Sequence, residues 1–449
     1  MGARAGILAR ADVTPHDVAF DNAVTDQAVT DHAVTDRADH TDHVMPGGAG
    51  IARDAYDTYD GDVFGRRRAE RAAKALDAYP EPGRAPDELI AELGGLMFAS
   101  LARSDQRRKG EQYLRGLLAA EGRKSIRNIA SFVGDRAAEQ SLHHFISSST
   151  WHWRPMREAL ARYVDRTLRP EAWVVRPIVI PKAGHHSVGV ERRYIPWLGQ
   201  VVNGQQALGA WGATKDASIP VDWQLLLSGD KAGAAGGRPT GTPVDCAAAT
   251  VAGLGSGSGI RPRPVVLDLP DADLPEAVRR FGGSGMPLVA VASGTTLLTS
   301  ADPVLPGLGD REFSAQRLLH MVRTLRRPVD WHDPLEGTVR RSDVAAVQVR
   351  LAEAPRSRPL LLVGEWDSPR GWPRACWLTD LRGVSPARLL RLGKLALRVD
   401  RDVAEVSPQV GLMDFEGRSY EGWHRHTTLA SAAHAVRILG GADRALRAG

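Results

Sequence analysis

Residues 173–194 read WVVRPIVIPKAGHHSVGVERRY and contain an arginine where a buried strand is expected. The apolar run from Val174 to Ile180 is interrupted by Arg176, and it opens into a basic segment with the adjacent residues His185 and His186. Two imidazoles in a row can bind a metal ion or contact a phosphate. Because they follow a glycine in a polar loop, we favour a solvated or DNA-facing pair over a metal site.

Two basic clusters precede this strand. One contains Arg107, Arg108 and Lys109, and the other contains Arg123 and Lys124. Clustered cations within one small region can follow a nucleic-acid backbone. The alternative is a solvated charged face, and the sequence leaves both interpretations open.

Two further patterns argue against other kinds of site. The glycine-rich run GLGSGSGIRPRP lacks the Lys-Ser/Thr that follows a phosphate-binding loop, and it precedes a strand instead of following one. The two cysteines, Cys246 and Cys376, are far apart in sequence, which argues against a zinc site or a disulfide framework. We therefore expect a flexible loop and a reducing, cytoplasmic setting.

The composition permits a polyanionic partner without requiring one. Over 449 residues, 58 Lys and Arg oppose 53 Asp and Glu, so the net charge is only +5. A weak field of this kind attracts nucleic acid only where the charge is clustered. No apolar run is long enough for a membrane span. A homo-oligomer is compatible with these features.

The hydrophobic periodicity divides the chain into three parts. Residues 1–85 contain the five-residue repeat AVTDQAVTDHAVTD and predict a disordered, low-complexity tail. Residues 86–170 carry helical spacing and predict a helical domain that could bind DNA. Residues 171–449 alternate strand-like and helical runs, which indicates an α/β fold with a mixed sheet and a β-rich insertion around residues 295–370.

Three blocks resemble the DDE transposases of bacterial insertion sequences, in particular the IS701-like branch of the IS4 group. They are YLRGLLAAEGRKSIRNIA with SLHHFISSSTWHW, then PKAGHHSVGVERRY with LGQVVNGQQ, and finally VGLMDFEGRSYEGWHRHTTLASAAHA. The blocks keep the family's order from about residue 87 to the C-terminus. The resemblance implies an RNase H-like core with three carboxylates that bind Mg²⁺ for phosphodiester chemistry.

Position by position, the resemblance implies a degraded catalytic triad. The second acid corresponds to Asp268, at the end of PVVLD, and the late glutamate corresponds to the shorter Asp400. The first acid corresponds to Arg176, which cannot become a metal ligand because a guanidinium keeps its proton. Asp268 and Asp400 are therefore either relic metal ligands or ion-pair partners of Arg176, and Mg²⁺ is expected only if some activity remains.

The resemblance also extends the set of candidate DNA contacts. Lys182, Arg192 and Arg193 belong to its second block, and His424 and Arg425 to its third. For the last two, a packed aromatic and basic cap on the core is the alternative. We expect a transposase-like protein with impaired or absent strand cleavage and transfer. The alternatives are a domesticated DNA-binding or regulatory protein and an RNase H-like fold recruited as a small-molecule enzyme.

Overall fold

A computed structural model describes residues 85–134, 136–227, 241–255, 259–269, 272–303, 305, 308, 311–354, 356–368 and 370–447. All of them belong to one compact unit, Asp62–Gly449. The tail expected at residues 1–85 lies outside the described residues, apart from Ala85, and so does the centre of the glycine-rich loop.

Five helices come first. They are α1 (Pro86–Met97), α2 (Ser104–Ala119), α3 (Ile126–Val133), α4 (Arg136–Ser147) and α5 (Arg154–Thr167). Helix α3 begins after Ser125, whose hydroxyl accepts the N–H of Asn128 and so satisfies one of the unpaired donors of the first turn. Helices α2 and α3 approach closely at Gly116, where a side chain would collide with Ile129.

Twelve strands follow within the described residues, and hydrogen bonds join them into one sheet. They are β1 (Ala172–Pro181), β2 (Glu191–Ile195), β3 (Gln200–Ala213), β4 (Ser218–Leu226), β5 (Val265–Leu267), β6 (Leu288–Ala292), β7 (Leu297–Ser300), β8 (Glu312–Ser314), β9 (Arg327–Asp333), β10 (Thr338–Leu351), β11 (Leu360–Trp366) and β12 (Ala375–Thr379).

The first half of the sheet is mixed. Strand β3 pairs antiparallel with β1 on one side and with β2 and β4 on the other, whereas β5 runs parallel to both β1 and β6. The expected α/β class with a mixed sheet is confirmed, and the arrangement is consistent with an RNase H-like core. Strands β7 to β12 extend the same sheet antiparallel beyond β6, in the order β6-β12-β11-β10-β7-β8, with β9 paired to β10.

Five more helices lie between and after the strands. They are α6 (Pro243–Ala252), α7 (Leu274–Phe281), α8 (Ala315–Met321), α9 (Pro386–Glu405) and α10 (Tyr420–Arg447). Helix α9 crosses the sheet and contacts strands from β4 at one end to β10 and β9 at the other. It begins after Ser385, whose hydroxyl accepts the N–H of Arg388. This crossing brings Asp400, which the resemblance assigns to the third acid, next to the sheet.

The helical and sheet parts share one hydrophobic core. Helix α10 contacts α1, α2, α4 and α5 and also packs on β4, and the buried residues of both parts form a single cluster. The change from helices to strands near residue 170 is therefore a change of secondary structure within one core. None of the helices in the described ranges is apolar over a length that could span a membrane.

Candidate functional site

Strand β1 and strand β5 bring Arg176 and Asp268 together. The neighbours of Arg176 along β1 are almost all buried, as expected for a central strand covered on both faces. The parallel register pairs Val175 with Leu267, and the N–H of Asp268 donates to the carbonyl of Val175 at 2.9 Å. Because Asp268 immediately follows β5, its carboxylate lies beside the arginine of the neighbouring strand.

Helix α9 supplies a second carboxylate to the same point. Nη1 of Arg176 lies 2.5 Å from Oδ1 of Asp400 and donates to the carbonyl of Ala396 at 3.0 Å. Nη2 lies 3.7 Å from Oδ2 of Asp268. The structure thus brings together the three positions that the family resemblance assigns to the catalytic triad, with a guanidinium between two carboxylates.

The electrostatics of this cluster favour the charged arginine. Burial alone would lower the pKa of Arg176, but the negative charges of Asp400 and Asp268 outweigh it and raise that pKa above its ordinary value. The three groups together carry a net charge of −1. A permanent cation therefore lies next to the oxygens that would have to bind a metal ion.

The donor set does not fit a divalent cation. Hard cations such as Mg²⁺ take oxygen ligands, and the first position offers a guanidinium, which has only donors. At about 4 Å and an effective dielectric constant of about 20, a divalent ion and this arginine would repel each other by on the order of 8 kcal/mol. Among the described residues no group of three or more His, Cys, Asp and Glu side chains could hold a metal ion.

Several residues that sequence analysis assigned to DNA contact are buried instead. Lys124, His424 and Arg425 are nearly inaccessible to solvent. The ammonium of Lys124 donates to the carbonyl of Ala120, and Arg425 donates to the carbonyls of Trp151 and Ile146. Buried side chains offer no surface to a phosphate, so the alternative, an aromatic and basic cap, describes His424 and Arg425.

Other members of the predicted set hold the chain's own backbone. The ammonium of Lys182 donates to the carbonyls of Met413 and Phe415 at 2.9 and 2.8 Å, and burial lowers its pKa to about 8. Arg107 donates to the carbonyls of Leu101 and Ala102. These contacts fix the segment after α9 and the start of α2.

The remaining predicted contacts are more accessible, but most already have acidic partners. Lys109 lies 3.8 Å from Asp105, Arg123 lies 2.6 Å from Glu416, and Arg193 lies 2.6 Å from Glu191. The exposed cations of the set without an acidic partner in the described part of the chain are Arg108 and Arg192. His185 and His186 are exposed in the loop after β1.

Arg157 is a buried cation that sequence reasoning missed. Its guanidinium donates to Asp222 and the carbonyl of Trp223 on β4, and to the side chains of Thr427, Thr428 and His424 on α10. A signal was available, because Arg157 shares a helical face with the apolar residues 160, 161 and 164. A charged residue on such a face indicates a buried polar network.

A second buried ion pair, Glu365 with Lys394, also escaped the sequence analysis. The Lys394 ammonium lies 2.6 Å from Oε2 of Glu365 and 4.4 Å from the ring centre of Trp331. The other oxygen of Glu365 accepts the hydroxyl of Ser342 at 2.8 Å. Burial lowers the pKa of Lys394, although the carboxylate opposes this effect. This pair joins α9 to strand β11.

Part of the chain is similar to a known protein family. Residues 96–269 match the family described as DDE superfamily endonuclease. The matched segment includes Arg176 and Asp268 but ends before Asp400, and it covers less than half of the chain. No curated protein matches the chain. This segment is therefore similar to an endonuclease superfamily whose members generally use divalent metal ions such as Mg²⁺ and act on DNA.

Proposed function

We propose that this chain is a transposase-like protein of the DDE superfamily in which DNA cleavage and strand transfer are impaired. The observation that carries the proposal is the pairing of Arg176 with Asp400 at 2.5 Å and with Asp268 at 3.7 Å. Two-metal phosphodiester chemistry requires carboxylates free to bind cations. Here the guanidinium of Arg176 lies between the two carboxylates. It cannot leave, because it is covalently part of the chain.

We further propose that the chain is related to the IS701-like branch of the IS4 group. Its support is the sequence order of HSVGV, LMDFEG and GWHRH, together with their contacts in the fold. Lys182 from the second block donates to carbonyls of the LMDFEG segment, and His426 from GWHRH lies 2.8 Å from the carbonyl of Gly411. Segments that are distant in sequence therefore pack together around the end of α9.

The direct test is DNA cleavage by the purified chain with Mg²⁺ or Mn²⁺. We expect no nicking and no joining of labelled DNA ends at either metal. Robust cleavage that Asp268→Asn abolishes would show an intact metal site and would refute the proposal.

A metal-binding experiment tests the role of Arg176 without DNA. Arg176→Asp places a third carboxylate beside Asp268 and Asp400, so we expect calorimetry to detect Mn²⁺ binding in this variant and none at this site in the unaltered chain. Arg341→Asp is the matched control, because Arg341 also pairs with an aspartate but lies on the surface. Equal Mn²⁺ binding by all three proteins would contradict the assignment.

A DNA-binding or regulatory protein that has lost cleavage is the second candidate. It is supported by the similarity to a DNA-processing superfamily over residues 96–269. Arg108 and Arg192 support it as well, because both are exposed and have no acidic partner among the residues that the structure describes. We expect a salt-dependent gel shift, because phosphate contacts release counterions, and we expect Arg108→Gln with Arg192→Gln to weaken it. A small-molecule enzyme is less favoured, since both Nη atoms of Arg176 already lie against carboxylates.

A further inference from the structure

Strands β2 and β3 form a hairpin at the edge of the sheet, next to the end of β1. The antiparallel register places Tyr194 opposite Val201 and Arg192 opposite Asn203. Successive side chains of a strand point to opposite faces, whereas residues directly opposite each other share a face. These four residues therefore lie together on one side of the hairpin, which we call the Tyr194 face.

The other side of the hairpin closes a small cavity. Glu191, Arg193 and Ile195 of β2 line this cavity together with Val202 and Gly204 of β3. On that side Arg193 lies 2.6 Å from Glu191. The carboxylate of β2 and the cation that pairs with it are therefore turned away from the Tyr194 face.

The Tyr194 face presents an aromatic ring and a cation to solvent. Tyr194 is 57% exposed, and Val201 opposite to it is 53% exposed. Arg192, two residues before Tyr194 on the same side of β2, is exposed and has no acidic partner within the described ranges. None of the four residues of the face is acidic. An accessible ring beside a cation is the combination with which proteins bind the bases and phosphates of a single nucleic-acid strand.

The loop that carries His185 and His186 is attached to the same face. The side-chain amide of Asn203 donates to the carbonyl of Lys182 at 2.6 Å and to that of Gly184 at 3.3 Å. Both histidines are exposed, and an imidazole N–H can donate to a phosphate oxygen. The loop therefore adds possible phosphate contacts next to the hairpin.

The acidic residue that this loop contacts is already neutralised. The hydroxyl of Ser187 donates to the backbone carbonyl of Glu416 at 3.0 Å. The carboxylate of Glu416 lies 2.6 Å from the guanidinium of Arg123. The contact with Glu416 therefore adds no unpaired negative charge that would repel a phosphate.

The kind of partner follows from the exposed ring and from the family similarity. The match to a DNA-processing superfamily covers residues 96–269 and so includes the whole hairpin, which favours a nucleic acid over an acidic protein. Inside a duplex the flat faces of the bases are covered by their neighbours, so a side chain reaches them only when a base is unstacked. A single strand offers both an open base for Tyr194 and a phosphate for Arg192.

We infer that the Tyr194 face binds single-stranded DNA, with a base stacked on the ring of Tyr194 and a phosphate paired with Arg192. The inference rests on the proposed relationship to a DNA-processing superfamily and specifies the form of DNA that this surface binds. It requires no strand cleavage, so it is compatible with the ion pairs of Arg176.

The test measures the fluorescence anisotropy of a labelled oligothymidylate and of a labelled duplex of the same length, each added to the full chain. We expect saturable binding of the oligothymidylate that weakens with salt. Tyr194→Ala should weaken it by about fivefold or more, whereas Tyr194→Phe, which keeps the ring, should retain the affinity. Duplex binding should be unchanged in both variants. Phe132→Ala is the matched control, because Phe132 is also an aromatic residue with 57% exposure and lies on α3.

The two DNA probes separate failure of this inference from failure of the proposed function. Duplex binding without saturable oligothymidylate binding would refute the inference and leave the proposed DNA binding intact. Binding of neither probe would contradict both.

Two further outcomes would overturn the inference. The first is a loss of oligothymidylate affinity that is equal in Tyr194→Ala and Phe132→Ala, or equal to the loss of duplex affinity in Tyr194→Ala, because neither result indicates stacking on Tyr194. The second is equally tight binding of a labelled oligoglutamate that also depends on Tyr194, since this result would assign the face to an acidic protein.

Discussion

Arg176 is held at the centre of the candidate site by two charges and one carbonyl, so its removal leaves both carboxylates without their cation. Breaking a buried ion pair by deleting one partner costs about 3–5 kcal/mol, because the other charge stays desolvated. Asp400 retains about a third of its side-chain exposure, at 35%, so water compensates part of this loss. Arg176 therefore contributes to the stability of the fold through these contacts.

We expect Arg176→Met to lower the free energy of unfolding by about 1–3 kcal/mol, a range reduced for the partial exposure of the pair. Arg176→Lys should recover only part of this loss, because an ammonium lacks the planar fork that reaches two acids and a carbonyl. Urea denaturation measures both variants. An unchanged midpoint for Arg176→Met would show that the ion pairs contribute nothing to the fold.

The buried residue His426 makes the stability of the fold depend on pH. Its Nε2 lies 2.8 Å from the carbonyl of Gly411, which only accepts, so Nε2 carries the proton and Nδ1 accepts the hydroxyl of Tyr113. Burial lowers the pKa of His426 to about 4, against an ordinary value near 6.5. The unfolded chain therefore binds a proton more readily than the folded chain between these values.

We expect stability to be maintained above about pH 6.5 and to fall as the pH decreases toward 4, with His426 contributing about 3 kcal/mol to the loss. His426→Gln, whose amide can donate to Gly411 and accept from Tyr113, should reduce the slope of stability against pH. Denaturation at a series of pH values measures that slope. The buried His434, with a pKa of about 4, accounts for a remaining slope of the same sign. An unchanged slope in His426→Gln would rule out the assignment.

At the scale of elements, helix α9 is attached to the sheet by charged side chains at separate points. Lys394 pairs with Glu365 on β11, Asp400 pairs with Arg176 on β1, and the carboxylate of Asp402 accepts both the N–H and the hydroxyl of Ser218 on β4. The helix thus links strands β11, β1 and β4. Its position determines where Asp400 lies.

We expect Lys394→Met to cost about 3–5 kcal/mol, because Glu365 is fully buried and would keep an unpaired charge. Adding Glu365→Gln should restore most of the stability, since the amide is neutral and can still bond Ser342. Urea midpoints of the single and double variants provide the measurement, with Arg341→Met, in an exposed pair, as a control that should change little. A double variant no more stable than Lys394→Met would contradict this account.

Long, apolar elements can be predicted from the sequence, whereas elements that depend on distant partners cannot. Strands β1, β3 and β11 and helix α9 follow from their apolar runs and periodicity, which are local signals. Strands β2, β7 and β8 are short or polar and are defined by their pairing, as Glu191 opposite Gly204 shows. Likewise, the basic residues Lys124 and Arg425 are buried by packing between segments hundreds of residues apart, which no local pattern reports.

At the scale of the whole molecule, the shared core decides whether the helical part and the sheet unfold separately. Arg157 on α5 donates hydrogen bonds to both β4 and α10, and α10 in turn packs on the first helices. Burial lowers the pKa of Arg157, although its partner Asp222 favours the charge. A buried cation with this many partners links the helical part to the sheet. Loss of its contacts should therefore destabilise both.

We therefore expect hydrogen exchange of the intact chain to show one cooperative opening, with similar free energies for α2 and β3. Arg157→Met should increase exchange in both elements by the same factor, because it leaves Asp222 and the α10 acceptors without their donor in the common core. Mass spectrometry of peptides from residues 104–119 and 200–213 measures this, with Arg108→Gln, an exposed change on α2, as the control. A faster exchange confined to α2 would show that the helices form a domain of their own.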